Sequence, residues 1–374
     1  MAQRVFLHVG APKTGTTYLQ QILWNNAEPL RGAGILLPGT RTAHYQAMGD
    51  LRRGLWHDPA GTWTWDRIAA TARDWPGTVV VSEEMLGAAT AEEAASAVRR
   101  LAPAEVHVVV AGRDLLRTVP SSWQQAIRAR GVGRFGAYVA ALRSGSYPQF
   151  WAHQTPLPIL QRWGADLPAE QRHLVTVPPP GSDPGLLWAR FAEVVGIPPG
   201  LCRPEVEDGN ANTSLGAGET ELLRRVNVAL GDEYPLRAPY VEVVHRNLVS
   251  PVLMRRPRGG RFGIPAEHVD WFDAAGHRMV DELKAYPCHV VGDLDDLLPA
   301  EVPVSRSPGA RSPDDVTDAE LAQTAVETIV GMLRHAETLT AEGPGPGRRR
   351  RRLPAAVRSG VRRILAPLGK RAAP

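Results

Sequence analysis

Three short segments of the chain concentrate side chains that bind anions or accept protons. The first is the glycine-rich run 10–17 with Lys13, the second is Ser82-Glu83-Glu84, and the third runs from Arg113 to Ser121. Each segment follows directly on a short apolar run. A cationic loop, a pair of carboxylates and an arginine with a hydroxyl suit a reaction on an anionic substrate.

The glycine-rich run has the composition of an anion-binding loop between a strand and a helix. Backbone N–H groups at such a turn, with the positive end of the following helix, form a cradle for a phosphate or sulfate group. The run is not a standard nucleoside-triphosphate loop, because Thr16 occupies the place of its lysine and Lys13 precedes Gly15 by two positions. No obvious partner for magnesium lies nearby, which argues against a small-molecule kinase. The alternative is a glycine-rich turn with a solvated lysine.

The segment Pro12-Lys13-Thr14-Gly15-Thr16-Thr17-Tyr18 resembles the donor loop of sulfotransferases that use 3′-phosphoadenosine 5′-phosphosulfate, or PAPS. In that family the loop reads P-K-[ST]-G-T-T followed by an aromatic residue. The resemblance implies transfer of a sulfuryl group from PAPS without a metal, and a fold related to P-loop nucleotide-binding proteins. It further implies that Lys13, Thr14, Gly15, Thr16 and Thr17 hold the 5′-phosphosulfate and that Tyr18 stacks on adenine. In the animal cytosolic enzymes that aromatic residue is usually tryptophan.

The same resemblance assigns a 3′-phosphate site to Arg113 and Ser121, which have the family's spacing of eight residues. A guanidinium presents a fork of donors to a phosphate, and a hydroxyl adds one more. Alternatively, Arg113 pairs with Asp114 or Glu105 and Ser121 only caps a helix. The family's third motif, R-K-G-x-x-G, is matched in part by 258–263, where glycine replaces the lysine, so we assign no role to it.

Sulfuryl transfer to a hydroxyl or amine needs a proton acceptor beside the incoming nucleophile. The family places a histidine or a glutamate at the end of the neighbouring strand, and counting from run 78–81 favours Glu83 here. Adjacent residues of an extended segment point to opposite faces, so we expect only one of Glu83 and Glu84 to face the donor. Glu84 and His44 are the other candidates for the base, and a pair of solvated carboxylates is the alternative without catalysis.

Hydropathy patterning predicts the elements that position these groups. Apolar runs at 5–9, 78–81, 106–111 and 174–177 predict buried strands. Helical spacing follows Gly15 and recurs at 91–101, 119–130 with Pro120 in the first turn, 186–195, 217–230, 266–286 and 319–338. Strands alternating with helices predict an α/β protein, a parallel sheet with helices on both faces in three layers. Ligands bind such sheets beyond the carboxyl ends of the strands, where all three segments should lie.

Length and composition fit a globular protein of 374 residues that is 43% hydrophobic and 22% charged. Two cysteines, Cys202 and Cys288, and the lack of an 18-residue apolar stretch favour the cytoplasm, either free or at the inner face of the membrane. The motifs that resemble those of the sulfotransferases lie within about the first 130 residues. The rest of the domain would then form the pocket for a carbohydrate, lipid or metabolite acceptor.

The charge is divided unevenly along the chain. Ten of the 43 basic residues follow the last acidic residue, Glu342, and the remaining 33 are outnumbered by 39 acidic residues, which argues against nucleic-acid binding. We therefore predict a catalytic domain over 1–342 and, over 343–374, a Gly/Pro linker with a basic tail that is disordered or amphipathic. Peripheral membrane contact through 348–371 is one possible use of this tail. A rival function is accordingly a non-catalytic protein that the tail docks to a membrane.

Overall fold

A computed structural model of the protein describes residues 3–52, 62–204, 214–256, 262–299 and 312–341. The predicted tail 343–374 and most of the arginine and glycine segment lie outside these ranges. The strands are β1 Arg4–Gly10, β2 Ile35–Leu36, β3 Thr78–Ser82, β4 Glu105–Gly112, β5 Arg172–Thr176 and β6 His289–Val291. The helices are α1 Thr16–Asn25, α2 Ala27–Gly32, α3 Arg41–Leu51, α4 Trp65–Arg73, α5 Ala91–Arg99, α6 Leu115–Arg128, α7 Phe135–Arg143, α8 Pro148–Gln154, α9 Pro156–Trp163, α10 Leu186–Val195, α11 Ala217–Leu230, α12 Arg237–Tyr240, α13 Ala266–Ala285 and α14 Asp318–Ala341.

The six strands of the described chain form one sheet in the order β2-β3-β1-β4-β5-β6, and every pairing is parallel. Strand β1 lies between β3 and β4, with Val5 opposite both Val79 and Val106. The three segments singled out from the sequence therefore follow three adjacent strands. They meet at one edge of the sheet, as predicted.

Both faces of the sheet are covered, which confirms the predicted α/β class with a parallel sheet. Phe6 packs into a core with side chains of α1, α2 and α10, whereas Val5, Leu7 and Val9 pack into a core with α4, α5, α6, α9 and α13. This alternation follows from the two-residue period of a strand. The continuous apolar runs are those of strands buried on both sides.

The start of α6 differs from the prediction. The helix begins at Leu115 rather than 119, because the Asp114 carboxylate accepts a hydrogen bond from the Arg117 amide at 2.9 Å and so caps it. Pro120 is a buried residue inside the helix and not a first-turn residue. Ser121 consequently lies in the second turn. The helices predicted at 186–195 and 217–230 have the observed bounds.

Candidate active site

The glycine-rich run forms the connection between β1 and α1. Its backbone enters the left-handed region at Gly10 (φ 128), Lys13 (φ 68) and Gly15 (φ 87). Glycine adopts this region without steric cost, whereas lysine does so uncommonly. At Gly15 a Cβ atom would also come within 2.5 Å of the end of the Leu187 side chain, so glycine at this position lets α10 pack directly against the loop.

The loop presents a row of backbone N–H donors. Thr14 is buried and its hydroxyl donates to the Ala11 carbonyl at 2.6 Å, which tightens the turn. Within the described ranges, none of the amides of 13–17 donates to another protein group. Gly15 precedes the first residue of α1, so the first-turn amides of that helix add to the same row. Such a row of N–H groups is a cradle for an anion.

The Lys13 ammonium lies in a partly buried, cationic environment. Burial, followed by the charges of Arg128 and Arg113, lowers the pKa of Lys13 to about 8, and the Glu84 carboxylate opposes this shift. Among the residues that the structure describes, none makes a hydrogen bond or ion pair with Lys13. A cation held among other cations is stabilised by an anionic ligand.

The structure brings Arg113 and Ser121 together. Arg113 Nη2 donates to the Ser121 hydroxyl at 2.9 Å and also to the Arg117 carbonyl. Burial lowers the pKa of Arg113 to about 10, and its buried Nε has no acceptor among the described residues. Asp114, the partner considered from the sequence, forms its ion pair with Arg117.

Arg128 is a site residue that the motifs did not indicate. It follows Ser121 by seven residues on α6, which is about two helical turns, so the two lie on the same side of the helix. Burial lowers the pKa of Arg128, and its Nε is a second buried donor without an acceptor in the described part of the chain. Among the charges that depress the Lys13 pKa, that of Arg128 is the largest.

The two glutamates after β3 have different surroundings. Glu83 is buried, and its Oε1 accepts from the Met85 amide at 3.1 Å, so it caps the 3-10 helix Glu84–Ala88. Glu84 is partly buried and its Oε2 accepts from Gln20 Nε2 at 3.0 Å. The charge that raises the Lys13 pKa is that of Glu84. The side chains diverge, as expected for neighbours leaving a strand.

Three side chains hold the 3-10 helix by its carbonyl groups. Arg52 Nη1 donates to the Met85 carbonyl at 2.7 Å, Trp163 Nε1 to that of Leu86 at 3.0 Å, and Arg162 Nη2 to that of Gly87. These contacts fix the 3-10 helix, whose first residue is Glu84, to α9 and to Arg52, the residue that follows α3.

Gly87 brings the same helix onto β1. A Cβ atom at Gly87 would stand 2.6 Å from the Val9 carbonyl oxygen, and one at Gly10 would stand 3.2 Å from that of Glu84. Glycine at these two positions lets the carboxylate segment and the anion loop lie in direct backbone contact.

His44 lies in the interior, within α3. Its Nδ1 accepts from the Ser82 amide at 3.2 Å, its ring packs on Trp24, and it is 1% exposed. Burial lowers the pKa of His44 to about 4. His8, whose Nδ1 lies 2.8 Å from the Ser82 hydroxyl, has its pKa lowered to about 4 in the same way. Both rings are therefore neutral near pH 7, and both contact Ser82, the last residue of β3.

Tyr18 borders the loop on the side of α10. Its hydroxyl donates to the Pro184 carbonyl at 3.1 Å, and burial, with the charge of Asp183, raises its pKa. The ring is only partly buried.

The comparisons with known proteins leave the site to be interpreted on its own geometry. No family model matches the chain, and neither a curated protein nor a solved structure is similar enough to count as a match.

Across the described ranges there is no cluster of three or more His, Cys, Asp or Glu residues suited to a metal ion. The helices in those ranges are too short or too polar to cross a membrane.

Proposed function

We propose that the protein is a PAPS-dependent sulfotransferase. The observation that carries the proposal is the convergence of Lys13, the Arg113–Ser121 pair and Arg128 at the ends of β1 and β4, around loop amides that have no acceptor in the described part of the chain. Glu84 stands beside this cluster at the end of the third adjacent strand. PAPS carries anionic groups at both its 5′ and its 3′ end, which two separated groups of donors can match.

Each donor group has a distinct role in this proposal. The amides of 13–17 and the Lys13 ammonium hold the 5′-phosphosulfate, and the ammonium offsets the charge that develops on the departing phosphate. Arg113 and Ser121 hold the 3′-phosphate. Arg128, two helical turns after Ser121 and with a buried Nε that has no acceptor among the described residues, supplies a further cation to the donor site.

Glu84 is the proton acceptor that the contacts favour, in place of the predicted Glu83. The acceptor oxygen or nitrogen attacks sulfur, a new S–O or S–N bond forms, and the bond between sulfur and the bridging oxygen breaks. The acceptor's proton passes to Glu84, and 3′-phosphoadenosine 5′-phosphate leaves. Glu84 suits this role because its charge acts on Lys13 and because the hydrogen bond from Gln20 orients its carboxylate. Glu83, in contrast, accepts from the Met85 amide. The assignment of Glu83 stays a prediction, to be tested beside Glu84.

Calorimetry with 3′-phosphoadenosine 5′-phosphate, ATP with magnesium, and GTP tests the proposal. We expect tight binding to the first alone. Tighter binding of ATP would favour the hypothesis of a small-molecule kinase. No binding to any nucleotide would favour the hypothesis of a non-catalytic protein. Incubating the protein with sulfur-labelled PAPS and cell extracts would then reveal the acceptor, and transfer that disappears in Lys13→Ala identifies the chain as the catalyst.

A further inference from the structure

The orientation of helix α14 on the body of the protein is fixed by its contacts. Leu321, Thr324 and Thr328 are buried on its inner side, and Gly331 lies so close to Val252 that a Cβ atom would stand 2.6 Å from its side chain. These contacts leave the opposite side of the helix facing outward.

Two arginines of the body reinforce this orientation. Arg256 donates to the Thr324 carbonyl at 3.1 Å and pairs with Glu327, and Arg225 pairs with Asp318. Two of the carboxylates of α14 are thereby neutralised by the body of the protein.

The outward side of α14 carries an apolar stripe. Its exposed large side chains are Val326, Ile329, Val330 and Leu333. Ile329 is 57% exposed and Leu333 is 65% exposed, whereas the buried inner side carries one large apolar residue, Leu321, with two threonines and a glycine. A helix normally turns its apolar stripe to the core, so the reverse arrangement indicates a surface that another apolar phase covers.

The sequence that follows indicates what this phase is. Chain 348–371 contains ten basic residues and no acidic one, and Arg348 follows the last residue of α14 by seven positions. A second copy of the chain would bring another tail of the same sign to the patch, which is unfavourable. An anionic bilayer attracts the tail, and membrane attachment by two weak signals needs this combination of apolar and basic contacts.

We propose that the outward face of α14 and the basic chain after it together seat the protein on an anionic lipid surface. The apolar side chains enter the boundary between headgroups and acyl chains, while the arginines remain at the phosphates. This inference is independent of the sulfotransferase proposal, because none of its residues belongs to the donor site.

Cosedimentation of the full chain with vesicles tests the inference. We expect binding to vesicles of phosphatidylcholine mixed with phosphatidylglycerol, weak binding to phosphatidylcholine alone, and weakening by salt. The double variant Ile329→Ser/Leu333→Ser should lose roughly tenfold or more in partitioning, because two large side chains no longer leave water. Changing the five arginines of 348–352 to glutamine should remove the preference for anionic lipid.

The matched control is Val132→Ser/Leu236→Ser, which alters two equally exposed apolar residues elsewhere (52% and 68%) and should bind as the parent does. Equal losses in both double variants, or no vesicle binding by the parent, would overturn the inference. So would a dimer in light scattering that Ile329→Ser/Leu333→Ser dissociates, since the face would then belong to a second copy. Binding of 3′-phosphoadenosine 5′-phosphate by every variant shows that the donor site remains intact whichever result is obtained.

Discussion

The guanidinium of Arg113 donates to the hydroxyl of Ser121 at 2.9 Å, although eight positions separate the two in sequence. The contact exists because α6 begins directly after Asp114, so that its second turn returns Ser121 to the strand end. Both groups are thus positioned before a ligand arrives. Preorganised donors of this kind bind an anion without first having to order their side chains.

Replacing Arg113 by lysine should weaken 3′-phosphoadenosine 5′-phosphate binding by roughly tenfold to a hundredfold, since charge-assisted hydrogen bonds contribute about 1.5–3 kcal/mol. Calorimetry measures this loss. Adenosine 5′-phosphosulfate, which lacks the 3′-phosphate, serves as the control ligand and should be affected little. Equal losses for both ligands would contradict the assignment of Arg113 to the 3′ end.

Nucleotide affinity should depend on pH through Lys13. Its pKa of about 8 means that the ammonium is largely charged at neutral pH and is lost as the pH rises through 8. Because an anion binds the charged form, affinity should hold below pH 8 and fall by up to roughly tenfold per pH unit above it. The Lys13→Arg variant keeps its charge above pH 8, so its nucleotide affinity should change little with pH. If this variant loses affinity above pH 8 as the parent does, the loss comes from another group.

Glu84→Gln should lower kcat by roughly a hundredfold or more, the usual contribution of a general base, while nucleotide affinity is kept. Glu83→Gln should instead reduce stability by roughly 1 kcal/mol through the weakened cap on the 3-10 helix. Steady-state kinetics, calorimetry and urea unfolding on both variants separate these effects. If turnover vanishes in Glu83→Gln and survives in Glu84→Gln, the originally predicted residue is the base.

Gly87→Ala should cost roughly 1–3 kcal/mol of unfolding free energy, because its Cβ atom would meet the Val9 carbonyl at 2.6 Å. The same displacement should move Glu84 and lower kcat. Gly32→Ala at the end of α2 is the control, since a Cβ atom there meets nothing within 4 Å and should leave both quantities nearly unchanged. A neutral effect of Gly87→Ala would show that the contact does not position the segment.

The buried histidines should make the protein sensitive to acid. The pKa values of His8 and His44 are lowered from 6.5 to about 4, so the unfolded chain binds protons first as the pH falls below 6.5. Their contribution to the free energy of unfolding is fully present above pH 6.5. It is lost as the pH falls toward 4, at up to roughly 1.4 kcal/mol per pH unit for each residue. Urea unfolding between these pH values measures the slope. His8→Asn should reduce it, whereas His277→Gln, an exposed change on α13, should not; an unchanged slope in His8→Asn would exclude His8 as a source.

Much of the fold follows from hydropathy patterns that the structure confirms. The strands at 78–81 and 106–111 and the helices at 186–195 and 217–230 lie where their apolar spacing placed them. Strand β2 has two residues and β6 has three, which is too short for any period to appear. The predicted start of α6 was wrong because it was placed beside Pro120, whereas the cap by Asp114 determines where the helix begins.

Local sequence was enough to propose the candidate site residues, but it could not give the contacts that depend on packing. The Lys13 loop is a contiguous motif, and Arg113 and Ser121 are separated by a fixed spacing of eight residues. Which glutamate approaches Lys13 depends on the chain leaving its extended conformation after Glu83, so the alternation of a strand could not decide it. Arg128 could have been found from its seven-residue spacing to Ser121, but only once α6 was known to be a continuous helix.

Strands β3 and β4 flank β1, each about 4.8 Å from it, so the hydrogen bonds of the sheet hold the carboxylate segment and the Arg113–Ser121 pair on either side of the anion loop. Loops beyond 130 that contact neither the anion loop nor the 3-10 helix Glu84–Ala88 lie outside this arrangement of strands. If the protein is the sulfotransferase proposed above, exchanging those loops should change which acceptor is modified while leaving nucleotide binding intact.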